Sequence, residues 1–290
     1  GLRGGRAEKV KNIMQKYLGT IIYDDLGGNW QVTMPNLEDC ALLNINYEYL
    51  HDEIYGENGS ERLYDIPELE GLSDENKEKF IIQILDFFRH NLCMRSLDRT
   101  EGAVRDMETQ VRDFLRAPWT LDDNDRIAPA NALCLVKPIG RRNSFSKIVS
   151  GYRSKLSVFV RNFLAKNGGL ATITNQDEYI QYMTSLFSAL GNYIQEDGGA
   201  YQLDYSSILW AKGDEEHVRT DLTKIRTIGE DVVYKPNRYF QRFYKNIPIS
   251  EVALEAKDHT GQVQKAVREE REQQFRDGEF PVLYCSPTMA

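Results

Sequence analysis

No part of this 290-residue sequence spells the Gly-x-x-x-x-Gly-Lys-Ser/Thr loop that cradles the phosphates of a nucleotide. We likewise expect no Asp-Glu-x-His or Asp-Glu-x-Asp magnesium motif. A phosphate cradle and a Mg²⁺ carboxylate are the minimum parts for hydrolysing a nucleoside triphosphate, so the chain is not expected to hydrolyse ATP by itself. Cysteine is scarce: Cys40, Cys93, Cys134 and Cys285 are scattered among apolar residues, with no Cys-x-x-Cys spacing. That argues against a zinc ribbon or a disulfide framework and for buried, reduced thiols. No apolar run approaches the ~20 residues of a membrane span, and no leader pattern opens the chain; a cytoplasmic protein without membrane contact is expected. Positive charge is in deficit, with 36 Lys and Arg against 44 Asp and Glu, a net charge of -8. A uniformly basic nucleic-acid surface is thereby excluded, and any such contact must come from local patches. No nucleophile–base pair, metal cluster or paired carboxylate stands out, which weighs against a hydrolase with its own active site.

What is present reads as a folded chain: 41% hydrophobic and 28% charged residues suffice for a sizeable core. Val10, Ile13, Met14, Tyr17, Leu18, Ile21 and Ile22 recur at helical steps and predict one core-facing stripe, ended by Gly27 and Gly28. Trp30 to Thr33 and Ala41 to Tyr47 read as strands, the second with an Asn44–Tyr47 alternation typical of a half-buried strand. Residues 51–72 read as a polar, acidic connector. Ser73 can cap a helix whose buried face is Phe80, Ile81, Ile84, Leu85, Phe88 and Leu92, with His90 beside it as a structural residue. A third helix is expected over Glu108 to Arg116. The acidic turn at Leu121–Asp125 lacks the glycine and closing glutamate of a calcium loop.

Residues 137–161 interleave Lys137, Arg141, Arg142, Lys147, Arg153, Lys155 and Arg161 with Phe145, Tyr152 and Phe159. Cations can neutralise phosphates and rings can stack on unpaired bases; equally, the rings can pack inward behind a solvated basic face. Thr174 is placed to cap a helix carrying Ile180, Met183, Phe187, Leu190 and Ile194, which Gly198 and Gly199 end. Tyr201–Leu203 and Ile208–Trp210 follow as short strands around Asp204–Ser207. Helix followed by a two-stranded wing is the pattern of a winged-helix module. Tyr234 to Lys245 then packs four cations and five aromatics into twelve residues: either a nucleic-acid contact through Lys235, Arg238 and Arg242, or equally a helix whose aromatics dock it onto the following domain.

The last forty residues are the most informative. Val252 to Ala256 reads as a strand, His259-Thr260-Gly261 as the break after it, Gln264 to Asp277 as a helix and Val282 to Cys285 as a buried strand. A crossover of that length predicts parallel strands in a βαβ unit. His259-Thr260-Gly261, an Arg- and Glu-rich run, Phe275-Arg276-x-Gly278 and Leu283-Tyr284-Cys285-Ser286-Pro287-Thr288-Met289 resemble the second RecA-like domain of large bacterial superfamily 2 DEAD/DEAH-box helicases, the type found in phage-defence systems such as DISARM. Trp30 to Glu38, Leu43 to Tyr47, Ala117 to Trp119 and Tyr201 to Trp210 are similar to an insertion these helicases carry.

The resemblance implies an α+β chain. Its mostly helical insertion would hold winged-helix-like modules, followed by an incomplete α/β RecA-like βαβ unit. The expected segments are 1–72 (helix plus short strands, winged-helix-like), 73–165 (helical with the basic stretch), 166–246 (winged-helix-like module and basic, aromatic connector) and 247–290 (partial RecA-like domain). It further implies that the chain is a piece of an ATP-dependent helicase or translocase, without cofactor of its own, whose parent uses ATP and Mg²⁺. His259, Thr260, Gly261, Ser286 and Thr288 would lie near the nucleic-acid backbone, with DNA favoured. The other partners would be the rest of the parent chain and a defence-system protein. The competing reading is a free-standing winged-helix adaptor that binds DNA or protein without catalysis.

Overall fold

The computed structural model describes residues 2–27, 35–56, 66–117, 119–122, 125–137, 146–224, 234–246, 256–259, 264–277 and 282–285. The chain is mixed α+β and forms two compact units, Gly1–Arg242 and Phe243–Ala290. The segments expected at 1–72, 73–165 and 166–246 are not separate bodies, because one apolar cluster runs from Tyr23 and Leu26 through Phe80, Phe88, Leu156 and Phe187 to Leu203.

Helix α1 (Leu2–Leu26) ends at Gly27, as expected. Its core face differs from the expected stripe: Ile13, Tyr23 and Leu26 are buried, whereas Leu18, Ile21 and Ile22 are 38–39% exposed. Strand β1 (Leu43–Tyr47) buries Ile45 and Tyr47, so the alternation holds. The expected connector contains helix α2 (Leu50–Tyr55) and a 3-10 turn at Pro67–Leu69 that buries Leu69. Helix α3 (Asp74–His90) begins where Ser73 Oγ accepts the amide of Asn76. Phe80, Ile81, Ile84, Leu85 and Phe88 are all fully buried on it. Full burial of one such side chain is worth ~2 kcal/mol, so this face alone fixes the helix in place.

Strand β2 (Met94–Arg95) and helix α4 (Glu101–Phe114) follow; Thr100 caps α4 a full two turns before the expected start. Val104, Met107 and Val111 of α4 close a second, smaller core against Ile13 of α1. Strands β3 (Asn131–Cys134) and β4 (Ser146–Val149) pair in parallel. Helix α5 (Lys155–Asn167) ends at Gly168, whose φ of 84° supplies the left-handed cap that terminates helices without steric cost. Phe159 and Phe163 of α5 stack on Phe80, at 5.6 and 5.3 Å between ring centres.

Helix α6 (Gln176–Ala189) is capped by Asn175, not Thr174: Asn175 Oδ1 accepts the amides of Asp177 and Glu178, each at 3.0 Å. Thr174 instead binds the Glu178 carboxylate. Ile194 lies beyond this helix, in strand β5 (Ile194–Asp197), which turns through Gly198 and Gly199 (φ 58° and 79°) into β6 (Ala200–Asp204). Two positive φ values suit the tight hairpin turn that matches strand twist.

Strand β7 (Ile208–Lys212) corrects the expected wing. β6 pairs with β5, β3 and β2, whereas β7 pairs antiparallel with β1, Tyr47 opposite Ile208 and Leu43 opposite Lys212. The hairpin is β5–β6, one strand earlier than the sequence suggested.

In the Phe243–Ala290 unit, strand β8 (Ala256–His259), helix α8 (Lys265–Arg276) and strand β9 (Val282–Cys285) form a βαβ unit with parallel strands, Ala256 opposite Val282 and His259 opposite Cys285. β8 starts where the expected strand ended. Lys257 Nζ reaches Gln274 Oε1 at 3.0 Å and ties β8 to α8. Glu272 and Arg276 form an i,i+4 pair at 3.8 Å on α8.

Candidate functional site

The first unit carries a cleft of about 850 Å³ between α3, β1, the end of β7 and the segment before helix α7 (Arg238–Lys245). Its floor is a charge network on the last turn of α3. Arg89, fully buried, grips the Glu38 carboxylate with both Nη atoms (2.6 and 3.0 Å), donates to Asp86 Oδ1 and reaches the carbonyl of Leu26 at 2.8 Å. A bidentate guanidinium–carboxylate grip is among the stronger polar contacts available. Asp86 also accepts from Tyr47 Oη (2.8 Å) and faces Arg219 Nη1 (3.3 Å). Burial alone would raise the Asp86 carboxyl, but Arg89, Arg219 and the Tyr47 hydrogen bond hold it below the usual carboxylate range.

The wall at 217–222 is stapled down by Gln83, which donates to the Thr220 carbonyl (3.0 Å) and accepts the Leu222 amide (2.8 Å). It brings Arg219 against Asn44 and Asn46 of β1, and Asp221 to 3.5 Å from His90 Nδ1. The other nitrogen of His90 lies 3.1 Å from Arg89 Nη2. Arginine can only donate, so in that contact His90 Nε2 is the acceptor, and Nδ1 faces Asp221. His90 is therefore an occupied structural residue in the floor, in keeping with its sequence reading, although it does line the cleft.

Just after β7, Asp214-Glu215-Glu216-His217 spells Asp-Glu-x-His, contrary to the expectation that no such magnesium motif occurs. Its geometry is that of a turn. Asp214 Oδ1 accepts the amides of Glu216 and His217, and Oδ2 pairs with His217 Nδ1 at 2.6 Å. Those backbone amides pull the Asp214 carboxyl down to about 2. A nucleotide-hydrolase carboxylate stands at the end of a parallel strand beside a phosphate loop; β7 is antiparallel to β1 and the sequence has no such loop. Among the described residues no group of three His, Cys, Asp or Glu side chains is placed to hold a metal.

Among the described residues the lining of the cleft has neither serine nor cysteine. Lys212 and Lys235 lie at the cleft and make no ion pair among the described residues, so they are open to an anion. Tyr234, 45% exposed, stands next to Lys235.

The sequence-predicted contacts separate clearly. Lys235 lines the cleft and Arg242 is exposed on α7. Arg238 is engaged internally: it donates to the Glu215 carbonyl (2.8 Å) and Gln241 Oε1 (2.9 Å) and pairs with Glu216 at 2.5 Å. His259 closes β8, but its side chain, like Thr260, Gly261, Ser286, Thr288, Arg141, Arg142 and Phe145, lies outside the described residues. In the rest of the basic stretch the rings pack inward. Phe159 is in the core and Tyr152 carries Arg161 4.1 Å over its ring. Cys40, Cys93 and Cys134 are free and buried. No helix among the described residues is long and apolar enough to cross a membrane.

Sequence reasoning missed the Glu38–Asp86–Arg89–Arg219 network. A signal existed: Gln83, Asp86 and Arg89 recur every third residue beside the most apolar face in the chain. No family model, curated protein or solved structure matches this chain.

Proposed function

We propose that the chain is part of an ATP-dependent nucleic-acid helicase or translocase, combining an accessory insertion with a portion of the second RecA-like domain. The observation that carries this reading is the parallel β8–α8–β9 unit. The His259-Thr260-Gly261 and Cys285-Ser286-Pro287-Thr288 runs stand at the carboxyl ends of its two strands. In open parallel sheets ligands bind at that edge. In this reading His259, Thr260, Gly261, Ser286 and Thr288 approach the nucleic-acid backbone, DNA in preference to RNA, and the parent supplies the ATP and Mg²⁺ site. In the first unit Lys235 and Arg242, together with Arg141 and Arg142 of the basic stretch, are further candidate contacts of this reading. The setting is bacterial phage defence, with a defence-system protein as further partner and a cytoplasmic location.

The adaptor alternative rests on a wing made of β6 and β7, and these strands take different partners. The test is fluorescence anisotropy of the chain with labelled single-stranded and duplex DNA at two salt concentrations. Salt-sensitive binding supports the helicase reading. Absence of binding at low salt reassigns the chain to partner docking.

A further inference from the structure

Helix α1 has two apolar faces, and among the described residues only one of them is covered. Ile13, Thr20 and Tyr23 face the protein. On another side Leu18, Ile21 and Ile22 are 39, 38 and 38% exposed, and Met14 is half-buried. Toward the amino end this stripe runs into an open groove between α1 and the end of α4, floored by Val10, Met14 and Phe114 and flanked by Trp119, itself 54% exposed. Exposed apolar surface of this extent, continuous over several turns, marks an interaction site.

Charge identifies the occupant. Lys11 and Asp25 are both exposed and make no ion pair among the described residues. Each stands seven residues from Leu18, in opposite directions. Seven residues are just under two helical turns, so all three side chains share one face, with the two charges ~10 Å to either side of Leu18. Arg6 and Arg116 add positive charge at the Lys11 end.

We infer that α1 docks antiparallel on α1 of a second copy of this chain, about a two-fold axis through Leu18. The stripe is complementary to itself under that operation, as an isologous interface requires. Leu18 meets Leu18 of the second copy, and Met14 meets Ile22. Ile22 thereby enters the groove beside Trp119, and Lys11 faces Asp25 twice, once at each end. An unrelated partner would need none of this symmetry. The inference does not depend on the helicase reading.

The test is sedimentation velocity of the 290-residue chain across the micromolar range. Four chains are compared: the original, Lys11→Glu, Asp25→Lys and the double charge reversal. The original forms a concentration-dependent dimer. Each single reversal places two like-charged pairs in the interface and weakens it by roughly tenfold or more, and the double reversal restores it. Leu18→Glu sets two carboxylates against each other on the axis and abolishes the dimer. Unchanged far-UV circular dichroism shows that these exposed positions do not unfold the chain. A monomer at every concentration, a dimer indifferent to the single reversals, or a double reversal that stays monomeric each overturns the inference.

Discussion

Asp86 and Arg89 stand one turn apart on α3 and meet within the core, Arg89 Nη2 to Asp86 Oδ1 at 3.0 Å. Through this pair a single helical turn holds the end of α1 (Leu26), the Glu38 loop, β1 (Tyr47) and the 217–222 wall (Arg219). Arg89→Met keeps most of the volume but leaves Glu38 and Asp86 without their shared cation. Removing one partner of a buried pair costs about 3–5 kcal/mol. Urea unfolding should show a loss of this size, and Lys212→Ala, at the exposed rim, should change stability by less than about 0.5 kcal/mol.

The same network sets an acid limit. The Asp86 carboxyl is depressed in the fold, so its contribution is complete above the ordinary carboxylate range and is lost as pH falls below it. Burial lifts the phenols of Tyr47, Tyr182 and Tyr193, which therefore contribute fully below their ordinary value and lose that contribution as pH rises past it. Urea midpoints should form a plateau that falls below about pH 4 and above about pH 10. Tyr47→Phe should flatten part of the alkaline fall.

The cap of α6 distinguishes two neighbouring residues. Asn175 takes two backbone amides and Thr174 takes none. Asn175→Ala should cost about 1 kcal/mol in urea unfolding, the usual worth of a cap. Thr174→Ala, which releases exposed contacts with the Glu178 carboxylate and the Asn175 side-chain amide, should cost less. Equal losses would restore Thr174 to the role the sequence suggested.

That one-residue slip shows where the sequence was legible. Strong local periodicity was enough for Ser73 and α3, for the Asn44–Tyr47 alternation and for the parallel β8–α8–β9 unit, because each signal lies within about thirty residues of chain. Strand partners were not legible. β1 and β7 meet across more than 160 residues, and nothing near Ile208 indicates that it will face Tyr47 rather than β6. The α1 stripe failed for another reason: periodicity gives an apolar side but not how wide a side the core will cover, and Leu18, Ile21 and Ile22 fell outside it. The cleft was hidden because its charges pair across the fold, Arg89 with Glu38 and Asp86 with Arg219.

The three cations once grouped together near α7 should behave differently toward single-stranded DNA. A phosphate contact needs a cation free to release a counterion, and each contact adds about 0.7 to the slope of log affinity against log salt. Lys235 and Arg242 are exposed and outside any ion pair among the described residues. Arg238 spends its guanidinium on Glu215, Glu216 and Gln241, the last a buried residue that itself holds the Cys40 carbonyl at 2.9 Å. Lys235→Ala and Arg242→Ala should therefore each lower the affinity and the salt slope. Arg238→Ala should leave the slope unchanged and act on the docking of α7, visible as a small loss of thermal stability. Anisotropy titrations over a salt series separate the two effects, since a stability defect shifts the competent fraction without touching the slope. If Arg238→Ala alone lowers the slope, its contacts with Glu215 and Glu216 give way to DNA and the track runs through it; if none of the three does, the DNA path lies elsewhere in the chain.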